Sequence, residues 1–249
     1  MLDIIAAIGL TALSVLVWGT LVQARGGSIK TRIKTAAVVA AWFVILVSLG
    51  ALGVFSTAGG GTPAIGTAVL VPITVAIVAA ASSPAVRAAA LGIPPATLVA
   101  IHAGRLLGVF FLLLLAAGRL PPTFARSAGW GDVIVGLTAG PLAWMIHRRG
   151  AGWQRATLAW NTFGALDLIA AVTLGIGSAP GSALRFIFEP PGSGTIGTLP
   201  WLLIPGFLVP LYLITHLALF ARLARVETQR SSRDPMPSPG SVAPARRGV

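Results

Sequence analysis

Residues 2–34 read LDIIAAIGLTALSVLVWGTLVQARGGSIKTRIK. The apolar part, residues 2–22, is long enough to cross a bilayer as a helix, which takes about 20 residues at about 1.5 Å each. Asp3 is the one charge in that run, and Arg25, Lys30, Arg32 and Lys34 follow it. A secretory signal peptide has the opposite order, with basic residues first. The stretch therefore predicts a retained first helix with its N-terminus outside and its basic connection in the cytoplasm, where positive loops are held.

The same alternation continues along the chain. Apolar runs at about 2–22, 35–55, 64–81, 96–117, 130–146, 156–176 and 200–223 predict an all-α membrane bundle of about seven helices. Pro84, Arg87 and Pro94-Pro95 bracket a short segment placed along the inner interface. Arg25, Lys30, Arg32, Lys34, Arg87, Arg148, Arg149 and Arg155 then fall on the cytoplasmic side, with Arg119, Arg126 and Arg185 outside. An odd helix count and the positive-inside bias agree on a cytoplasmic C-terminus. Residues 226–249 are rich in Ser, Pro and Arg, with almost no large apolar side chain, and read as a disordered basic tail.

Composition points the same way. Charged residues make up 10% of the chain, hydrophobic ones 55%, and the mean hydropathy is +0.88. A water-soluble domain carries about 25% charged residues to cover its surface. The net charge of +12 sits in connections and tail, with no basic patch interleaved with exposed aromatics, so nucleic acid is not an expected partner. The expected surroundings are lipid, and the Arg- and Ala-rich composition suggests a bacterial inner membrane. Cysteine is absent, which removes disulfides and thiolate chemistry. The only lysines, Lys30 and Lys34, lie far from the last helix, so no retinal Schiff base is expected there. Metalloprotease, P-loop and nucleophile-elbow patterns are missing. No catalytic residue is assigned, and the chain does not read as an enzyme.

Ionisable side chains inside the hydrocarbon are costly unless paired or hydrated, and each is a candidate for function. His102 and Arg105 fall in the fourth predicted helix, Asp167 in the sixth and His216 in the seventh. Arg105 and Asp167 lie near the same depth and predict an ion pair. That pair either fixes helix register or switches when Asp167 takes a proton. His102 and His216 share a level nearer the inner side, with Tyr212 one turn from His216. Paired histidines on two helices suit a hydrogen-bonded contact, a proton path or the axial ligands of a haem b. Asp132 sits at the predicted start of the fifth helix, where it either caps the helix or pairs with Arg126, or lines a ligand entrance in the outer loop. Trp160, Gly164 and Asp167 share a face of the sixth helix, with Asn161 adjacent. Gly104-xxx-Gly108 and Gly136-xxx-Gly140 fit close helix packing. Pro72, Pro141, Pro205 and Pro210 each free a carbonyl four residues earlier, which a neighbour, water or ligand has to satisfy.

From Arg105 onward the motifs Arg105-Leu-Leu-Gly108, Gly118-Arg-Leu-Pro121, Phe124-Ala125, Ala128-Gly-Trp-Gly-Asp132, Trp160-Asn161, Asp167-Leu168 and the Pro205, Pro210, His216 set form a pattern. It resembles a group of uncharacterised bacterial membrane proteins. The resemblance covers about half the chain, implies bacterial origin and this topology, and points to Arg105, Asp132, Asn161, Asp167 and His216 as site residues. Three functions follow as expectations. The first is small-molecule or proton-coupled transport or binding through a polar cavity. The others are a haem b redox subunit and a non-catalytic structural or partner-binding protein.

Overall fold

The computed structural model describes residues 1–25 and 28–231, without the side chains of 226–231. Among these residues the chain is helical, with no strand. The helices are α1 Leu2–Ala24, α2 Ile29–Ala51, α3 Gly61–Ser82, α4 Pro84–Gly92, α5 Pro95–Ala100, α6 Val109–Ala116, α7 Pro122–His147, α8 Trp153–Ser178 and α9 Val209–Ser231. A 3-10 stretch, Ile101–Gly108, joins α5 to α6 without a break, and a π-helical turn, Ile204–Leu208, leads into α9.

Several boundaries differ from those predicted, each for a local reason. α2 begins at Ile29 instead of 35, because Ser28 caps it by accepting from the Thr31 amide at 3.3 Å. Lys30, Arg32 and Lys34 are therefore on its first turns and not in a loop. It ends before 55 because Gly53 turns the chain with φ of 74°. α7 begins at Pro122, eight residues ahead of the predicted 130, with proline at its first position, where a missing N–H costs nothing. α9 runs to Ser231, since nothing between Leu223 and Ser231 breaks a helix. Residues 226–231 of the predicted tail are thus helical, and the rest of that tail, 232–249, lies outside the described residues.

Six described segments are long and apolar enough to cross a membrane: α1, α2, α3, Pro95–Ala116, α8 and Ile204–Arg225. α7 equals α8 in length at 26 residues, but with Arg126, Asp132 and four glycines it holds no stretch apolar enough to be counted with these six. Of the helices predicted to span, α7 is the one that length and composition alone leave open.

α7 lies at the centre, packed along α5, the 3-10 stretch and α6 on one side and α8 on the other. α9 closes the group against α8, α3 and α4, and α1 covers the 3-10 stretch. α2 and α3 are peripheral, burying only Leu46 and the pair Ala68 and Val69. Their apolar outer faces suit lipid, where helix association rests on close packing more than on removal from water. Pro210 illustrates how the packing repairs a broken helix. The carbonyl it frees, that of Gly206, accepts from Trp42 Nε1 of α2 at 3.0 Å.

The apolar core is split in two. The larger cluster holds Leu10, Phe110, Leu114, Ala128, Trp201 and Phe207. The smaller holds Leu98, Val99, Ala139, Ile146 and Leu219. Along the fourth span, α7 and α9 the buried residues pass from one cluster to the other across a polar level: 102–105, 132–136 and 212–216.

Candidate functional site: a buried polar layer

The 3-10 stretch sets the layer. With three residues per turn, positions 102, 105 and 108 stack in one line, and His102, Arg105 and Gly108 are indeed buried along it. Eight residues is long for this conformation, whose runs rarely exceed about four. An α-helix would rotate Gly108 away from that line by a fraction of a turn. Instead Gly108 lets α7 approach, and a Cβ there would collide with Asp132.

Arg105 is the centre. Its Nε donates to Asp132 Oδ1 at 2.6 Å, its Nη1 to the Gly164 carbonyl at 3.0 Å, and its Nη2 to Asp167 Oδ2. The guanidinium side chain is 1% exposed, against 13% for Asp132 and 9% for Asp167. The arginine is sealed while both carboxylates keep an edge open. The fork geometry of arginine makes this possible, since its donors address two helices at once. α8 contributes Asp167 and the Gly164 carbonyl, and α7 contributes Asp132.

Below the triad lie two histidines whose hydrogen atoms can be placed from their neighbours. Asn161 Nδ2 donates to the His216 carbonyl at 3.1 Å, which fixes the amide orientation. Asn161 Oδ1 therefore faces His216 Nδ1, 2.7 Å away, and Nδ1 carries the hydrogen. The Thr215 hydroxyl donates to the Tyr212 carbonyl at 2.8 Å. Having no second hydrogen, it accepts from His102 Nε2 at 3.0 Å. In the neutral rings His216 Nε2 and His102 Nδ1 are consequently lone-pair nitrogens. Both are buried without a hydrogen-bond partner among the described residues, as is the Tyr212 hydroxyl. The three rings touch: His102 is 4.3 Å from His216 and 4.7 Å from Tyr212, centroid to centroid. Trp160 closes the far side, its ring 5.3 Å from His102 and its Nε1 donating to Thr138 Oγ1.

Glycines make room for these groups. A Cβ on Gly164 would come within 2.8 Å of the His216 ring and 3.3 Å of Arg105 Nη1. One on Gly104 would sit 2.7 Å from the Tyr212 hydroxyl, and one on Gly131 would overlap the Asp167 carboxylate. Of the predicted packing pairs, Gly104, Gly108 and Gly136 are in tight contact, whereas Gly140 faces open space.

The layer thus unites Arg105, Asp167, His102, His216, Tyr212, Asn161 and Asp132. The expectation for Asp132 is corrected: it is neither a cap nor a partner of Arg126. Because α7 starts at Pro122, Asp132 lies well inside that helix and turns to Arg105, while Arg126 is exposed. Thr215 and the Gly164 carbonyl are further members that side-chain type alone did not single out. Thr215 adjoins His216, and Gly164 lies three residues from both Asn161 and Asp167, which is the signal that points to it.

A haem between His102 and His216 does not fit. Axial imidazoles stand on opposite sides of an iron, each bonded at about 2 Å, with the porphyrin between them. Here the rings pack directly on one another, and Thr215 and Asn161 each hold one nitrogen.

Two cavities flank the layer. A small one, about 20 Å³, is lined by Arg105, Asp132, Tyr212, Gly104 and α1 residues Leu10 and Leu13, and has room for about one water. A larger one, about 70 Å³, lies among α3, α8 and the segment after it, lined by residues such as Ile65, Val69, Phe124 and Val172. Phe111, Ile204 and Val209 form a wall common to both.

At the end opposite the basic connections, Arg119 pairs with Asp3 at 2.8 Å and Trp201 Nε1 donates to the same carboxylate at 2.8 Å. Glu189 accepts there from the Thr123 amide and hydroxyl, at 2.9 and 2.6 Å, and these bonds hold its carboxyl below the usual range.

No curated protein and no solved structure matches this chain. Residues 62–224 match a family model described as Domain of unknown function (DUF8737). That stretch covers more than half the chain and contains every residue of the polar layer, and the chain belongs to this family.

Proposed function

We propose that the protein is a bacterial inner-membrane protein of seven spans, α7 included, and that its polar layer handles a proton in small-molecule or proton-coupled transport or binding. The N-terminus lies outside and the C-terminus in the cytoplasm. The basic residues Arg25, Lys30, Arg32, Lys34, Arg87, Arg148, Arg149 and Arg155 favour this orientation, because they gather at the connections of one end.

The observation that carries the reading is the two-to-one ratio of carboxylates to arginine. One aspartate neutralises Arg105, and an Arg–Asp pair is enough to fix helix register. A second ionised carboxylate leaves the buried triad at net −1, which is costly in hydrocarbon. One exchangeable proton removes that charge, and the open edges of Asp132 and Asp167 give it a way in. The three unpartnered polar atoms beside the triad supply further hydrogen-bonding positions for a small ligand.

The test is proton movement. Purified protein in vesicles containing an entrapped pH dye is driven by a potassium diffusion potential set with valinomycin. Proton uptake above that of protein-free vesicles, lost in Asp167→Asn and Asp132→Asn, supports the proposal. Equal uptake by wild type, variants and empty vesicles refutes proton carriage and favours a structural role.

A further inference from the structure

We infer that His102, His216 and Tyr212 form a proton relay on the inner side of the Arg105 centre, an inference that rests on the proton-handling reading above. It extends that reading from where a proton binds to where it goes.

The geometry is specific. Asn161 pins His216 through Nδ1, and Thr215 pins His102 through Nε2. Opposite nitrogens of the two rings are thereby tied up, and the remaining lone pairs, on His216 Nε2 and His102 Nδ1, are both left in the interior. The Tyr212 hydroxyl, in ring contact with His102, is the third unpartnered group and the only one of the three that carries a hydrogen to give. Two acceptors and one donor grouped around the His102 ring make a relay set whose members are unbonded in this arrangement. His216 lies beside Arg105, since one Cβ position on Gly164 would touch both His216 Nε2 and Arg105 Nη1.

The transfer changes only N–H and O–H bonds. A proton leaving the triad adds to His216 Nε2, giving an imidazolium whose Nδ1–H stays on Asn161 Oδ1. It passes on to His102 Nδ1 through Tyr212, whose oxygen accepts one hydrogen as it gives up its own, once a small side-chain movement or a bridging water brings these atoms within hydrogen-bond reach. The charged groups facing the rings are Arg105 from the 3-10 stretch, Asp132 from α7 and Asp167 from α8. Tyr212 is the titratable group from α9, and the α1 residues lining the adjoining cavity, Leu10 and Leu13, carry none. With both aspartates ionised the three charged neighbours sum to −1.

The test is nitrogen-15 solid-state NMR of histidine-labelled full-length protein in lipid, titrated with pH. Only three histidines exist, and His147, exposed at the end of α7, serves as an internal reference. The expected spectrum has two buried rings in opposite neutral tautomers, His102 protonated at Nε2 and His216 at Nδ1. Acidification converts them together to a form sharing one added proton, and Tyr212→Phe alters that conversion without changing the starting tautomers. Buried rings of the same tautomer overturn the relay. So do rings that stay neutral at every pH at which the protein remains folded. An infrared titration of the carboxyl bands on the same samples separates the two ideas. Carboxyl protonation with unchanged rings removes the relay and leaves the triad, whereas carboxyl bands that never change remove the triad itself.

Discussion

Gly131 of α7 lies directly against the carboxylate of Asp167 on α8, so that a Cβ at 131 would occupy the position of Oδ1. This contact lets α7 and α8 close far enough for Arg105 to bridge Asp132 and Asp167. It ties a packing feature to a chemical one. Neither helix offers Asp167 another buried partner among the described residues.

Gly131→Ala is therefore expected to behave like Asp167→Asn, displacing the carboxylate from Arg105 and lowering proton uptake to the same degree. Gly140→Ala is the matched control on the same helix, because open space surrounds Gly140. Its stability is expected to change by no more than about 1 kcal/mol. Vesicle proton uptake and thermal unfolding in detergent check both. A Gly131→Ala protein with wild-type uptake would separate the packing from the chemistry.

Arg105→Met leaves two carboxylates buried with no cation. Removing one partner of such a group costs about 3–5 kcal/mol. Replacing Asp167 by Asn leaves Asp132 to balance Arg105 and is expected to cost clearly less. Unfolding midpoints of the two variants measure the difference, and equal losses would mean that the second carboxylate is no less essential to stability than the arginine.

Much of this arrangement was legible in the sequence. The hydrocarbon-length runs mark out the helices in their order, six of them long and apolar enough to cross a membrane. Depth counting alone pairs Arg105 with Asp167 and His102 with His216. What escaped was the partner of Asp132, because the polar stretch around Arg126 looks like a loop when hydropathy is the guide and puts Asp132 at a helix start. Pro122 at a helix start was the contrary signal. The 3-10 stretch at Ile101–Gly108 was also hidden, since no proline or glycine pair marks it apart from Gly104 and Gly108. It is tertiary contact with Asp132 and α7 that makes this tighter winding worthwhile. The boundary of α2 was misplaced for a simpler reason: charged residues on its first turns were counted as loop, although Ser28 is a good cap.

Orientation can be read by labelling, and the absence of cysteine makes any introduced thiol unique. Ser182→Cys, in the segment after α8, is expected to react with an impermeant maleimide in intact spheroplasts. Gly150→Cys, between α7 and α8, is expected to react only after permeabilisation. The reverse pattern would invert the topology, and equal labelling from one side would show that α8 does not span.

Glu189 supplies a pH-dependent contact at the outer end. Its carboxyl is held low by the Thr123 hydroxyl and amide, so its folded pKa lies below the unfolded one. The contribution is present at neutral pH, above the unfolded value, and is lost as pH falls through the folded one. Because the group is exposed, the effect is local. Hydrogen exchange at the Thr123 amide, corrected for the intrinsic rate, is expected to speed up on acidification and to do so at neutral pH already in Glu189→Gln. An amide unaffected by either change would show that the contact does not persist in solution.

The most direct measurement is an infrared difference titration of the protein in lipid, comparing wild type with Asp132→Asn and Asp167→Asn. A proton shared by the Arg105 centre gives a buried carboxylic acid band that grows as pH falls and disappears or shifts in both variants. If no such band appears, or if it is identical in all three proteins, the triad does not exchange a proton and the polar layer is a structural one.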